Sequence, residues 1–191
     1  MEKDRLAAFS DGVIAILITI MVLELKVPHG DDLHALSTVA PTFLSYMLSF
    51  VYVAIYWNNH HHMLFTVKTV NGNILWANMN LLFWLSVIPF TTAWAGENYL
   101  SKLPTAIYGV ALLLAAAAYF LLQSVIVSAQ GKESLLARAI GKDIKGKVSP
   151  PLYLAGVVLS FIHPWIADLI YVFVAAMWCI PDRRVERLVK K

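Results

Sequence analysis

The sequence predicts an all-α, polytopic membrane protein with six transmembrane helices in a single domain, residues 1–191. The first observation is composition: 59% of the residues are hydrophobic and 14% are charged, whereas a soluble domain is closer to half and a quarter. The second is segmentation, because the apolar residues form six runs separated by short polar stretches. The third is the clustering of basic residues in the stretches on one side of the predicted membrane.

The six apolar runs define the predicted helices. Pro28 follows the first run, Pro89 lies in the later half of the third, and Pro150 and Pro151 open the fifth. Most runs have roughly the 20 residues that a bilayer requires, although the fifth is shorter. The predicted spans are 6–27, 38–64, 72–95, 104–128, 149–163 and 164–181.

The distribution of charge predicts the orientation in the membrane. With six spans both termini lie on one side, and 13 of the 15 Lys and Arg residues fall on that side, leaving only Lys26 and Lys102 on the other. The positive-inside rule therefore predicts a multi-pass protein of the cell membrane with both termini in the cytoplasm. Basic residues in short runs between apolar segments fit this topology and not nucleic-acid binding.

Residues 131–147 form the longest basic stretch between two apolar runs. Leu135, Leu136, Ala139, Ile140 and Ile144 recur at helical spacing among lysines. One interpretation is an amphipathic helix on anionic lipids of the inner leaflet. The other is a solvated basic loop, and the sequence favours neither.

The first apolar run carries a distinctive helical face. Ile16, Thr19, Ile20 and Leu23 are spaced so that they share one face, and Gly12 extends it by a turn. Such a face can be packed core. In a symmetric assembly it can instead line a pore, where an apolar ring excludes water and a hydroxyl ring offers oxygens to a partly dehydrated cation. The residues alone leave both alternatives open.

Polar residues of the first three predicted helices lie at a similar depth near the cytoplasmic side. Asp11 lies inside a membrane helix, where an acid is costly and needs a partner, and Arg5, His60 or the Trp57 indole could donate to it. The cluster is either a structural hydrogen-bond network or a proton relay or gate sensor. Its members are Arg5, Ser10, Asp11, Trp57, His60 and Asn78.

No metal, cofactor or catalytic motif is predicted. His60, His61 and His62 are adjacent, so on a helix they point about 100° apart and do not converge on one ion. Asp168 is expected in the first turn of the sixth helix, where a carboxylate would complement the helix dipole. The sequence lacks a phosphate-binding loop, a Gly-x-Ser-x-Gly elbow and a dinucleotide fingerprint, so an enzyme is not expected.

One pattern in the first helix carries a family resemblance. It runs Arg5-x-x-x-Phe9-Ser10-Asp11-Gly12, and Trp57-x-x-His60, Asn78 and Pro89-Phe90 follow at similar separations. This pattern resembles the signature of the transmembrane protein 175 family of potassium channels, in its prokaryotic single-repeat branch. The resemblance covers roughly the first half of the chain.

The resemblance implies a homotetramer whose pore is lined by the first helix and has no carbonyl filter. It implies that Ile16, Ile20 and Leu23 form the hydrophobic constriction and that Thr19 contributes to potassium preference. Potassium would pass through transiently, with no bound cofactor. The network implied at the cytoplasmic end comprises Arg5, Phe9, Ser10, Asp11, Trp57, His60 and Asn78.

The leading functional hypothesis is a potassium-preferring cation channel with a hydrophobic gate. A proton-conducting channel is the first alternative, because Asp11 and His60 could pair. A small carrier or membrane enzyme that uses the cluster His60–His62 is the second.

Overall fold

The computed structural model describes residues 2–131, 133–140 and 143–179, with the side chains of residues 139 and 140 left out. All regular elements within these ranges are α-helices. Six of them have 16 or more residues, and two short helices lie between them. They are α1 (Lys3–Leu23), α2 (Leu33–Thr38), α3 (Ala40–Phe65), α4 (Gly72–Glu97), α5 (Lys102–Gln130), α6 (Leu135–Ile140), α7 (Ile144–Ser160) and α8 (Pro164–Cys179).

The long helices alternate in direction through one bundle. The start of α1 meets the end of α3 through Asp11 and Trp57, and the end of α1 is tied to the end of α4 by the ion pair of Lys26 with Glu97. We call these two ends of the bundle the N-terminal end and the loop end. The alternation returns Cys179, at the end of α8, to the N-terminal end, as expected for six consecutive antiparallel helices.

Helix α4 lies at the centre of the bundle. It packs against α1, α3 and α5, and α5 in turn packs against α7 and α8. Asn71 caps α4 by accepting a hydrogen bond from the Ile74 amide at 3.0 Å, which explains why the helix begins at Gly72. The apolar side chains Leu81, Leu85 and Ile88 on α4 are fully buried. Helix α1 is peripheral by comparison, since its extensive contacts are with α3 and α4.

Within the described residues, four helices are long and apolar enough to cross a membrane: α1, α3, α4 and α5. Helices α7 and α8 have 17 and 16 residues. Each of the six predicted apolar runs overlaps one of the six longer helices. That all six cross the bilayer stays a prediction.

Two expectations about the positions of helix starts were wrong. Helix α7 begins at Ile144 and not at 149, because Asp143 caps it by accepting from the Gly146 amide, and Pro150 and Pro151 lie inside the helix. The stretch 131–147, for which the sequence left an amphipathic helix and a solvated loop open, contains the short helix α6 and the start of α7. Asp168 lies beyond the first turn of α8, which starts at Pro164, and it makes no cap. The predicted end of the last span, 180–181, lies outside the described residues.

Tyr171 on α8 packs against both α5 and α7. Its ring is fully buried, its backbone carbonyl accepts a 2.6 Å hydrogen bond from the Tyr52 hydroxyl, and its own hydroxyl lies 3.4 Å from the Thr105 carbonyl. A Cβ atom added at Gly109 on α5 or at Gly156 on α7 would overlap this ring. The two glycines therefore allow α5 and α7 to approach α8 closely on either side of one tyrosine.

We expect Gly156→Ala to destabilise the protein by about 1–3 kcal/mol, because the added methyl group overpacks a site whose ring cannot move into solvent. The measurement is the melting temperature of the detergent-solubilised protein. Gly72→Ala is the matched control, since a Cβ atom there meets no atom within 4 Å. Equal melting temperatures for the two variants would contradict the close packing around Tyr171.

Candidate functional site

Helix α1 has one packed face and one open face. Its buried residues recur every three or four positions and contact α3 and α4, so they form a stripe along one side of the helix. They are Leu6, Ser10, Ile14, Leu17 and Met21. On the opposite side α1 has no packing neighbour among the residues that the structure describes.

The predicted face of Ile16, Thr19, Ile20 and Leu23 is this open side. Ile16 is 59% exposed and Leu23 77% exposed, and Thr19 and Ile20 are exposed between them. Gly12 continues the face, and a Cβ atom built there meets no atom within 4 Å. These residues are not part of the packed core of the subunit, so the core interpretation of this face is wrong for the isolated chain.

Thr19 is the hydroxyl within this apolar face. Its Oγ1–H group donates to the Ala15 carbonyl, 3.0 Å away on the preceding turn. A hydroxyl that donates its single proton keeps two lone pairs on oxygen. Thr19 can therefore offer a neutral oxygen ligand to a cation on the open side of α1, while Ile16 and Leu23 on either side offer none.

On the packed side, Ser10, Asn78 and His60 form a chain of hydrogen bonds that links three helices. The Ser10 hydroxyl donates to the Leu6 carbonyl at 2.9 Å, and the Asn78 Nδ2 group donates to Ser10 Oγ at 3.0 Å. The Asn78 Oδ1 atom lies 2.7 Å from His60 Nε2. All three side chains are fully buried, so the chain ties α1, α4 and α3 together in a place that water does not reach.

The direction of these bonds fixes the tautomer of His60. Because Asn78 Nδ2 is the donor to Ser10, Asn78 Oδ1 must be the acceptor, and His60 Nε2 must therefore carry a proton. In the neutral imidazole Nδ1 is then an acceptor, and it finds no hydrogen-bond partner among the described residues. A buried acceptor without a partner costs about 1–3 kcal/mol. The other contacts of His60 must therefore offset this cost in the folded protein.

The hydrogen-bond partner of Asp11 is Trp57 and not His60. The Trp57 indole Nε1–H donates to Asp11 Oδ1 at 3.0 Å, so Trp57 is the donor among the three candidates proposed from the sequence. Arg5 and Phe9 are exposed on α1, and Arg5 makes no hydrogen bond or ion pair to the described part of the chain. The structure thus divides the predicted cluster into the buried chain of Ser10, Asn78 and His60, the Asp11–Trp57 pair, and two exposed residues.

The three consecutive histidines diverge as their spacing requires. His60 points inward to Asn78, His61 lies beside the Trp57 ring at a centroid distance of 6.0 Å, and His62 Nδ1 lies 2.6 Å from the Asn58 carbonyl. No group of three or more His, Cys, Asp or Glu side chains in the described ranges is arranged to hold a metal ion.

A second buried hydroxyl cluster was not predicted from the sequence. Ser49 Oγ lies 2.9 Å from the Tyr108 hydroxyl and 2.7 Å from Thr92 Oγ1, which joins α3, α5 and α4 nearer the loop end. Hydroxyl groups are common in apolar helices, and no spacing in the sequence connects these three. Only the packing of the helices brings them together.

The chain is similar to several known proteins. The sequence profile of the family described as "Endosomal/lysosomal potassium channel TMEM175" matches residues 5–89, which extend from α1 into α4. A protein of Chryseobacterium sp. (strain P1-3) named as a potassium channel is 51% identical over 191 residues, with the whole of both chains covered. A protein of Chamaesiphon minutus, also named as a potassium channel, is 31% identical over 87% of this chain and 88% of its own.

Animal proteins and a solved structure are similar as well. The human endosomal/lysosomal proton channel TMEM175 is 36% identical over 80 residues, which is 36% of this chain and 16% of the human one. The crystal structure of a lysosomal potassium-selective channel TMEM175 homolog from Chamaesiphon minutus superposes with a TM-score of 0.82 at 29% identity. That match covers 95% of this chain and 98% of the other. The fold, the full-length similarity and the motif-bearing first helix together show that this chain is a multi-pass membrane protein of the TMEM175 family.

Proposed function

We propose that this chain is one subunit of a homotetrameric, potassium-preferring cation channel whose pore is lined by α1. The observation that carries the proposal is the open face of α1, which is continuous and mostly aliphatic and yet is not covered by any other described helix. The names of the two bacterial relatives support the choice of ion. In this proposal the subunit is a single six-helix domain, and α7 and α8 cross the bilayer with the four longer helices.

Four copies of the open face around an axis would stack rings of side chains along a pore. Ile16, Ile20 and Leu23 would form apolar rings that water enters reluctantly, which is the basis of a hydrophobic gate. Thr19 would form one ring of hydroxyl oxygens between them, with its proton already engaged by Ala15. A single neutral layer offers few ligands, so we expect a modest preference for potassium over sodium, with ions held transiently and no resident metal or cofactor.

In this proposal the N-terminal end of the bundle faces the cytoplasm. Lys3, Arg5 and Lys68 lie at or beside that end, and Arg138 and Lys147 lie in or after the connection from α5 to α7. Positive charge on one side favours the cytoplasm of a cell membrane. The same charges would place residues 131–147 near anionic lipid headgroups, with α6 as the helical part of that stretch.

The polar network would hold the pore helix in register. The Ser10–Asn78–His60 chain attaches α1 to α4 and α3, and the Asp11–Trp57 pair adds a second tie to α3. Each of these contacts lies on the packed side or flank of α1. Their proposed role is therefore to orient α1 and to leave its open face free, and not to contact the permeant ion.

A proton channel is the second candidate, because several animal relatives carry that name. The geometry gives it less support. Asp11 is bonded to Trp57 and not to His60, and the buried chain from His60 passes through an amide and ends on the Leu6 carbonyl. Neither group exchanges protons readily, so the chain is a poor relay. The divergent imidazoles of His60–His62 likewise give no support to a carrier or an enzyme.

The experiment is the reversal potential of purified protein in liposomes under opposed potassium and sodium gradients. We expect a shift toward the potassium equilibrium potential and none when only a pH gradient is imposed. Thr19→Val, which keeps the shape and removes the hydroxyl, should bring the potassium-to-sodium permeability ratio close to one.

Ser124→Ala is the matched control for Thr19→Val. The Ser124 hydroxyl is also exposed and also donates to the carbonyl four residues earlier, but it lies on α5. It should leave the permeability ratio unchanged. An unchanged ratio in Thr19→Val would remove Thr19 from selectivity, and a reversal potential that follows the pH gradient alone would replace the potassium channel by the proton channel.

A further inference from the structure

A wide apolar groove runs between α3 and α8 in the half of the bundle nearest the loop end, with α5 contributing to its floor. Its empty volume is about 1380 Å³, including the open side. Leu44, Met47 and Val51 line it on α3, and Val172 and Ala176 line it on α8. The two helices run in the same direction from the loop end, so the groove is aligned with the bundle axis.

One carboxylate side chain, that of Asp168 on α8, lies in the wall of this groove. It is half-buried, and it makes no hydrogen bond or ion pair with any residue that the structure describes. A carboxylate in apolar surroundings is costly unless a partner compensates it. An ionisable residue at membrane depth is, for this reason, a candidate binding group.

Polar and apolar groups are separated along the groove. Asp168 is the fifth residue of α8, so it lies about 6 Å from the start of the helix at the loop end. Trp165, which also lines the groove, is one turn closer to that end. Tryptophan is enriched at membrane–water interfaces, so its position marks the interface at this end of α8. From Asp168 to Ala176 the groove continues for about 12 Å toward the membrane centre. Its lining there is mostly aliphatic, and the hydroxyl of Tyr108, which also lines the groove, is paired with Ser49.

We propose that this groove binds a phospholipid with a primary amine in its headgroup, whose ammonium group pairs with the Asp168 carboxylate while one acyl chain fills the groove. The charge selects a cationic donor, and three N–H groups on a primary ammonium can form charge-assisted hydrogen bonds that a trimethylated ammonium cannot. The position of Asp168 along α8 favours a lipid over a soluble amine, because it corresponds to the boundary between lipid headgroups and acyl chains. The proposal rests on the proposed membrane span of α8, but it does not depend on which ion the protein conducts.

The test is native mass spectrometry of the purified full-length protein, delipidated and then mixed with equal amounts of phosphatidylethanolamine and phosphatidylcholine of the same chains. We expect the wild type to favour phosphatidylethanolamine roughly fivefold, the upper range for a partly exposed ion pair. Asp168→Asn should bind both lipids equally. Asp31→Asn, at an exposed acid of the same end of the bundle, is the matched control and should keep the preference.

A second variant separates headgroup from chain recognition. Ala176→Phe places a ring in the inner part of the groove, so it should reduce the binding of both lipids and leave their ratio unchanged. Equal binding of the two lipids by the wild type, or an unaltered preference in Asp168→Asn, would overturn the proposal. So would efficient disulfide cross-linking between subunits of the double variant Met47→Cys, Val172→Cys, which would show that a second copy of the chain occupies the groove.

Discussion

Replacing Ile16 by alanine is expected to raise the potassium current through liposomes at least about tenfold, equivalent to a barrier lower by about 1.4 kcal/mol. The side chain is 59% exposed on the open face of α1 and is not part of the hydrophobic core that the described residues form. If four copies form an apolar neck, the substitution widens the neck and removes aliphatic surface that resists hydration. Folding should be unaffected, because no core contact is lost.

Val22→Ala provides the control for this prediction. Val22 is also exposed on α1, at 44%, and loses aliphatic carbon in the same way. It lies about 120° around the helix from Ile16, away from the proposed pore axis. Its current should equal that of the wild type. If Ile16→Ala conducts no more than Val22→Ala at equal protein incorporation, Ile16 does not form the constriction.

The second large effect is expected from Asn78→Leu. Asn78 makes both central bonds of the buried chain, so leucine would leave His60 Nε2 without its acceptor and Ser10 without its donor. Each buried group left unpaired costs about 1–3 kcal/mol. We therefore expect a loss of about 2–5 kcal/mol in the free energy of unfolding and a much smaller yield of assembled protein. The measurements are the melting temperature and the elution profile by size exclusion.

Asn80→Leu is the matched control, two residues further along α4. Asn80 is half-buried and makes no hydrogen bond to the described residues, so the same change of side chain removes no known bond. It should leave the melting temperature and assembly near those of the wild type. A variant Asn78→Leu that is as stable as Asn80→Leu would show that the buried chain does not hold α1 to α3 and α4.

Much of the α1 site could be predicted because helical periodicity is local. The spacing of Ile16, Thr19 and Leu23 placed them on one face, and the structure leaves that face open. The alternation of helices also placed Ser10, His60 and Asn78 at one depth, and Asn78 forms hydrogen bonds to both of the others. Which donor meets Asp11 could not be predicted, because Arg5, His60 and Trp57 all satisfied the same approximate depth.

The failures arose where local signals competed. Pro150 and Pro151 favoured a helix start at 149, but the Asp143 cap starts α7 earlier and its packing against α5 supports a helix through both prolines. For residues 131–147 the sequence left an amphipathic helix and a solvated loop open, because periodicity does not show where a chain turns. The Ser49–Thr92–Tyr108 cluster depends on contacts between three helices, for which the sequence contains no pattern.

The two ends of α1 are held by contacts of different strength. At the N-terminal end the ties are the buried Ser10–Asn78 bond and the Asp11–Trp57 pair, whereas at the loop end Lys26 and Glu97 form an exposed ion pair. This contact raises the pKa of Lys26 above its usual value, but water and salt compete with it freely. We therefore expect α1 to pivot about its contacts with Asn78 and Trp57 when it tilts. Such a tilt would displace Leu23 further than Gly12.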